Sequence, residues 1–126
     1  ELIHELKSND WLIGIATNKS RVGLSNGLAK HNLSNIFDIT LSTDENIAKP
    51  NPAMALRAMK ELGVKEKYSV IIGDTINDIG LGVNSGITSI GVTWGYNNRK
   101  LLMSAGANHL VDNAQELSKL MNKLFF

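Results

Sequence analysis

The chain has 126 residues, 43% of them hydrophobic and 20% charged, and no cysteine. That length suits a single domain with a real core, and the balance is that of a globular protein rather than a disordered one. Thirteen basic residues against twelve acidic ones leave a net charge of +1; without a basic run, nucleic acid is not suggested as a partner. The lack of cysteine excludes a disulfide framework and a cysteine metal site. No stretch has the length of a membrane span or the form of a secretory signal, so a cytoplasmic enzyme or binding domain is expected. The first residue is Glu1 rather than Met, which leads us to expect an upstream segment or a longer parent protein.

Strand-like and helix-like patterns alternate along the chain. Glu1 to Lys7 reads as the tail of a helix, and Trp11 to Ala16 as a buried strand. Arg21 to His31 is helical, with Gly23 and Gly27 expected to permit close packing. Ile36 and Phe37 anchor a turn before a short strand at Asp38 to Leu41, and a polar loop runs from Ser42 to Asn51. Asn51-Pro52 has the form of a helix start, Asn as cap and Pro first inside. Leu56, Met59 and Leu62 are predicted to face one way, and Gly63 to stop that helix.

An apolar run, Val70 to Ile72, then ends at Gly73 and reads as a buried parallel strand. A helix starts near Thr75, since Ile76, Ile79 and Val83 fall at helical spacing. Ile87 to Val92 is a further strand, Trp94 to Asn98 a turn-rich loop and Lys100 to Ser104 a short helix. His109 to Val111 is an edge strand. The last helix begins at Asn113, with Glu116 completing a capping pattern and Leu117, Leu120, Met121 and Leu124 as its apolar stripe. The alternation predicts an α/β fold with a mostly parallel sheet between two helical layers, a Rossmann-like three-layer sandwich.

Parallel strands aim their carboxyl ends at one edge, where open α/β sheets bind ligands. Three loops at that edge carry polar residues. Thr17-Asn18-Lys19-Ser20 offers a hydroxyl and backbone N–H groups at a helix start, which is either a phosphate cradle or a turn with Ser20 as cap. Lys49, stiffened by Pro50 and Pro52, is either a fixed ammonium that offsets phosphoryl charge or a solvated surface lysine. Asp74 and Asp78, four positions apart, suit a hard cation such as Mg2+, which takes one or two carboxylates and keeps waters. The same stretch, Thr75 to Asp78, fits a capping box that only fastens a helix.

Thr17-Asn18, Lys49-Pro50 and Gly73-Asp74-Thr75-Ile76-Asn77-Asp78, in that order, resemble the second, third and fourth motifs of the haloacid dehalogenase-like (HAD) hydrolases. Gly91-Val92-Thr93-Trp94-Gly95-Tyr96-Asn97 is similar to a segment of the phosphoglycolate phosphatase branch. The resemblance implies that residues 1–126 form a single partial HAD-like core domain. It implies a Mg2+-dependent phosphomonoester hydrolase working on a small phosphate ester through an aspartyl-phosphate. Thr17 and the Asn18 backbone would hold phosphoryl oxygens, and Lys49 would bridge phosphate and nucleophile. Asp74 would ligate Mg2+, Asp78 would ligate it or hold its waters, and Thr75 would support their loop. His4, His31 and His109 are left as structural or surface residues, and Trp94 and Tyr96 as packing and loop residues.

The family's first motif, an aspartate nucleophile followed two residues later by an acid-base aspartate, has no match here; Asp10, Asp38, Asp44 and Asp112 lack its context. The first strand and the cap of the family fold are therefore expected to be absent. Two apolar strands, at Trp11 to Ala16 and Tyr68 to Gly73, would be left with unpaired edges. We expect residues beyond this sequence or another chain to fill the space between them, or the two strands to collapse together. The nucleophile would then lie outside the chain, leaving it nearly inert by itself. Two alternatives are a phosphomutase of the same fold and a non-catalytic HAD-like module. A receiver-like domain fits poorly, since its early acidic cluster is missing.

Overall fold

In the computed structural model, which describes residues 2–125, two parallel sheets lie in one three-layer α/β arrangement. The elements in order are α1 (Leu2–Ser8), β1 (Gly14–Ala16), α2 (Arg21–Lys30), β2 (Ile39–Leu41), α3 (Ala53–Leu62), β3 (Val70–Gly73), α4 (Ile76–Ser85), β4 (Thr88–Val92), α5 (Arg99–Ser104), β5 (His109–Val111) and α6 (Ala114–Phe125). Glu1 and Phe126 lie outside the described residues, so the predicted start of the first helix at Glu1 does too. No helix among the described residues is long and apolar enough to cross a membrane.

β1 pairs with β2, Ile15 opposite Thr40, while β3, β4 and β5 form a second sheet with β4 central. Alternate residues of β3 serve opposite layers, as the strand period requires. Ile71 packs with Leu41, Met54, Ala55, Leu81 and Ile87 beneath α3 and α4. Val70 and Ile72 pack on the other face with Ile90, Val92, Val111, Leu117 and Met121, near Leu2 and Leu6 of α1 and Phe125 of α6. The Trp11 and Phe125 rings meet edge to face at 4.9 Å.

Among the described residues, β1 and β3 each pair on one side only. Between them lies a groove of about 620 Å³, lined by Gly14, Ile15 and Ala16 on one wall and Val70, Ile71 and Ile72 on the other. The expected unpaired edges are thus present, and the expected collapse of the two strands onto each other is not. The groove also corrects the burial expectation. The strands at Trp11 to Ala16 and Tyr68 to Gly73 are shorter than predicted; Leu12 and Tyr68 are exposed, and β1 and β3 are only partly covered.

Three helix faces differ from the sequence expectation. On α3 the buried residues are Met54 and Ala55, with Met59 partly covered and Leu56 at 49% exposure. On α4 Ile79 is buried but Ile76 and Val83 are exposed; the helix approaches the sheet through Gly82, where a Cβ would meet Ile71 Cγ2 at 2.6 Å. On α2 a Cβ at Gly27 would meet nothing within 4 Å, so that glycine serves no close packing. On α3 and α4 the buried residues include the small Ala55 and Gly82, and the glycine permits a backbone approach that a larger side chain could not. Helix ends match their chemistry better. Gly63 and Gly86 end α3 and α4 in the left-handed conformation. The start of α3 corrects the expectation by one residue: Pro52 is the cap, without a side-chain cap bond, and Asn51, just ahead of it, accepts from Ala53 N at 2.9 Å through Oδ1. Asn113 Oδ1 likewise accepts from Glu116 N at 2.8 Å, with α6 starting at Ala114.

Candidate active site

The loops after β1, β2 and β3 meet where both sheets end. Lys49 Nζ lies 2.8 Å from Ala16 O, at the end of β1, and 2.5 Å from Asp78 Oδ1, in the first turn of α4. Both side chains are nearly buried, at 11% and 12% exposure, so the ammonium and carboxylate satisfy each other where little water reaches. Lys49 is therefore not a solvated surface lysine. Its position is fixed from two sides. The Asn18 amide forms a two-way pair with the Lys49 backbone: Lys49 N donates to Asn18 Oδ1 at 2.9 Å and Asn18 Nδ2 to Lys49 O at 3.2 Å. Next to it, Pro50 rests on Gly80, where a Cβ would lie 2.6 Å from Pro50 Cβ, and Asn84 Nδ2 donates to Pro50 O at 2.8 Å.

Thr17 follows β1, its N–H donating to Leu41 O and its Oγ1 accepting from Lys19 N at 3.1 Å. Its own hydroxyl proton is left to donate elsewhere. Among the described residues the Asn18 backbone N–H has no acceptor. Thr43 Oγ1 bonds the Asn18 and Lys19 carbonyls, and Arg21 N donates to Asp44 Oδ2, so the loop after β2 braces the loop after β1. Ser20 caps α2, accepting from Gly23 N at 3.1 Å. The turn-and-cap reading of Thr17 to Ser20 is thus realised, and the Thr17 hydroxyl remains available beside it.

Thr75 and Asp78 form the capping box: Asp78 N donates to Thr75 Oγ1, and Thr75 N and Oγ1 donate to Asp78 Oδ2. Asp78 is 8% exposed and rests on Gly73, where a Cβ would fall 2.2 Å from Asp78 Cβ. Asp74 stands on another glycine. A Cβ at Gly95 would lie 2.2 Å from Asp74 Cβ, and Tyr96 N donates to Asp74 Oδ2 at 2.8 Å. Asp74 Oδ1 accepts no hydrogen bond among the described residues.

Sequence reasoning did not single out Gly80, Asn84, Gly95 or the Asn97 side chain for this site. The Gly-Tyr-Asn run was the available signal, since glycine and asparagine mark tight backbone approach and local capping. Trp94 and Tyr96, expected to be packing and loop residues, are loop residues with side chains exposed at 51% and 85% rather than packed. Around the site edge, Asp112 is held below the usual carboxylate range by Thr93 and then by Arg99, and Glu45 by Arg21 and then by Ser42. Asp38 is lowered by the Ile13 N–H and then by Lys7. None of these three joins the Lys49 cluster.

No group of three or more His, Cys, Asp or Glu side chains gathers among the described residues. Asp74 and Asp78 offer carboxylate oxygens, of which Asp74 Oδ1 alone is unengaged among the described residues, since Asp78 Oδ1 receives Lys49 and Oδ2 receives Thr75. That set fits a hard cation which keeps waters, and does not fit a closed nitrogen or sulfur site.

A family profile described as haloacid dehalogenase-like hydrolase matches residues 1–92. The chain belongs to that family. Pyrophosphatase PpaX of Bacillus mycoides (strain KBAB4) is 28% identical over 125 residues, 98% of this chain and 58% of the relative. The crystal structure of a "putative phosphoglycolate phosphatase" from Lactobacillus delbrueckii subsp. bulgaricus superposes with a TM-score of 0.84 at 29% identity, over 95% of this chain and 50% of that one. A "predicted phosphatase" from Clostridium acetobutylicum gives a TM-score of 0.86 at 30% identity, over 97% and 57%. The chain thus spans 50–58% of the length of these proteins.

Proposed function

We propose that this chain carries the phosphate- and cation-binding part of a Mg2+-dependent phosphomonoester hydrolase of the phosphoglycolate phosphatase-like branch. One observation carries it: Lys49 Nζ stands between Ala16 O and Asp78 Oδ1 at the carboxyl ends of both sheets, at the mouth of an open groove. The chemistry follows from the donors present. The Thr17 hydroxyl and the Asn18 N–H donate to phosphoryl oxygens, and the Lys49 ammonium offsets their charge, which is most of what phosphoryl transfer asks of a protein. Asp74 would hold Mg2+ through Oδ1, and Asp78, whose Oδ1 receives Lys49 and whose Oδ2 receives Thr75, would hold the ion's waters; the ion when bound neutralises phosphoryl charge. Thr75 fixes Asp78 through the capping box.

The nucleophile is an aspartate not among these 126 residues. It reaches Lys49 on an extended segment that enters the groove and pairs with β1 and β3, from another part of a longer chain or from a second chain. The relatives' names support a phosphate compound as substrate and differ in the bond cleaved, a phosphoanhydride in one and a phosphate ester in the other.

Hydrolysis of p-nitrophenyl phosphate with Mg2+ tests this. The 126-residue chain should turn over slower by several orders of magnitude than the same chain fused to a strand tipped by aspartate; loss of a nucleophile elsewhere costs ~10^6. Brisk turnover by the unfused chain would refute an external nucleophile. If the fused chain is also inert while folded, the hydrolase assignment fails.

A further inference from the structure

The loop after β4 is built around Asp74, and its contacts reach further than the capped helix start requires. Three bonds join the two segments: Tyr96 N to Asp74 Oδ2 at 2.8 Å, Asn97 N to Asp74 O at 2.9 Å, and Ile76 N to Asn97 Oδ1 at 2.9 Å. They hold the Asp74 carboxylate, its own carbonyl and the next helical N–H. Gly95 lies under the carboxylate with no room for a Cβ, which would fall 2.3 Å from Oδ2. The loop is itself anchored at both ends. Thr93 N donates to Val111 O and Thr93 Oγ1 to Asp112 Oδ1, while Asn98 Oδ1 accepts from Leu101 N and caps α5. Tyr96 contributes only its backbone here, its ring being 85% exposed.

We propose that Gly95, Tyr96 N–H and Asn97 position Asp74: the Tyr96 N–H occupies Oδ2, Gly95 and Asn97 hold the loop against the carboxylate and its backbone, and Oδ1 is left as the single oxygen through which the carboxylate holds a divalent cation. The proposal rests on Asp74 being a Mg2+ ligand. A carboxylate with one oxygen tied to a backbone N–H cannot offer both oxygens to one ion without breaking that bond, and a small octahedral cation accepts monodentate donors readily. Partners of this outer kind set the orientation of a ligand, and losing them costs 10–100-fold in metal affinity in other proteins.

The test uses the full chain and four variants, D74N, G95A, N97A and N97D, with Mg2+ alone as the probe. Amide exchange of Ile76 and Tyr96 is measured without metal, and Mg2+ binding by amide chemical shifts. N97A should speed exchange at both amides by about tenfold and weaken Mg2+ binding by about tenfold. N97D keeps an acceptor for the Ile76 N–H and should restore both, which a loss of bulk packing would not predict. G95A should weaken Mg2+ binding by displacing the carboxylate. Exchange in N97A equal to that of the wild type overturns the proposal without reference to any metal. Loss of binding in D74N with unchanged binding in N97A and G95A overturns the positioning role while Asp74 stands as a ligand. Unchanged binding in D74N overturns both.

Discussion

The two sheets are built from similar strands, yet they differ in how completely they are covered. β4, flanked by β3 and β5, has Ser89 to Val92 buried, and Ile90 is fully inaccessible. β1, with one neighbour, begins exposed at Gly14 and is only partly covered at Ile15 and Ala16. The difference arises from a missing neighbour rather than from composition, since an apolar strand is buried only when both its faces and its flanks are occupied. Lys49 and α3 are among the contacts that tie the poorly covered half to the well covered one.

Five substitutions would break or sharpen that contrast. Ile90→Ala should cost about 3–4 kcal/mol in chemical denaturation, as for a fully buried branched residue, while Ile15→Ala should cost only about 1 kcal/mol. Equal losses would mean that the groove is closed in solution. Lys49→Met should cost about 2–3 kcal/mol by leaving Asp78 without its cation in a nearly dry place, and amide exchange should rise more in β1 and β2 than in β4. Uniform acceleration would show that Lys49 does not join the halves.

Gly73→Ala, which forces Asp78 off the end of β3, should cost about 1–3 kcal/mol and shift the Thr75 and Asp78 amide resonances; unmoved resonances would show the contact to be looser. The smallest effect belongs to Asp38, which joins the start of the β1–β2 half to Lys7 of α1 and to Ile13 N. Its pKa is lowered on folding, so its contribution is present above the unfolded carboxylate value of about 3.9 and is lost as pH falls through the lower folded value. Asp38→Asn should cost about 0.5–1 kcal/mol at neutral pH, discounted for solvent screening. Its difference from the wild type should shrink below pH about 4, a comparison that removes the Asp112 and Glu45 titrations common to both. A difference independent of pH would mean that the carboxylate's charge is not what matters.

Much of the site could be read in advance because its motifs are local. Gly73 to Asp78 announces a strand end, a capped helix and two acids within six residues, and all three are present. The structure adds that capping and charge are the same atoms: Asp78 Oδ2 closes the box while Oδ1 receives Lys49. No spacing rule could reveal that pairing, since 29 residues separate the partners. The helix faces were misread for a related reason. Periodicity ranks residues by size and apolarity, so it chose Leu56, Ile76 and Val83, whereas α3 buries Met54 and Ala55 and α4 approaches its neighbours most closely at Gly80 and Gly82. The clamp on Asp74 escaped because its donors are backbone N–H groups, which every sequence has.

The reciprocal pair between the Asn18 amide and the Lys49 backbone has a thermodynamic consequence. Two loops that share one pair of hydrogen bonds cannot be ordered independently. Whatever steadies the Thr17 loop lowers the cost of holding the lysine in place, and by linkage an occupant drawn to the lysine favours the Thr17 loop by the same free energy. A phosphate and a groove occupant would then each bind its own site more tightly when the other is bound, although no atom of one need touch the other.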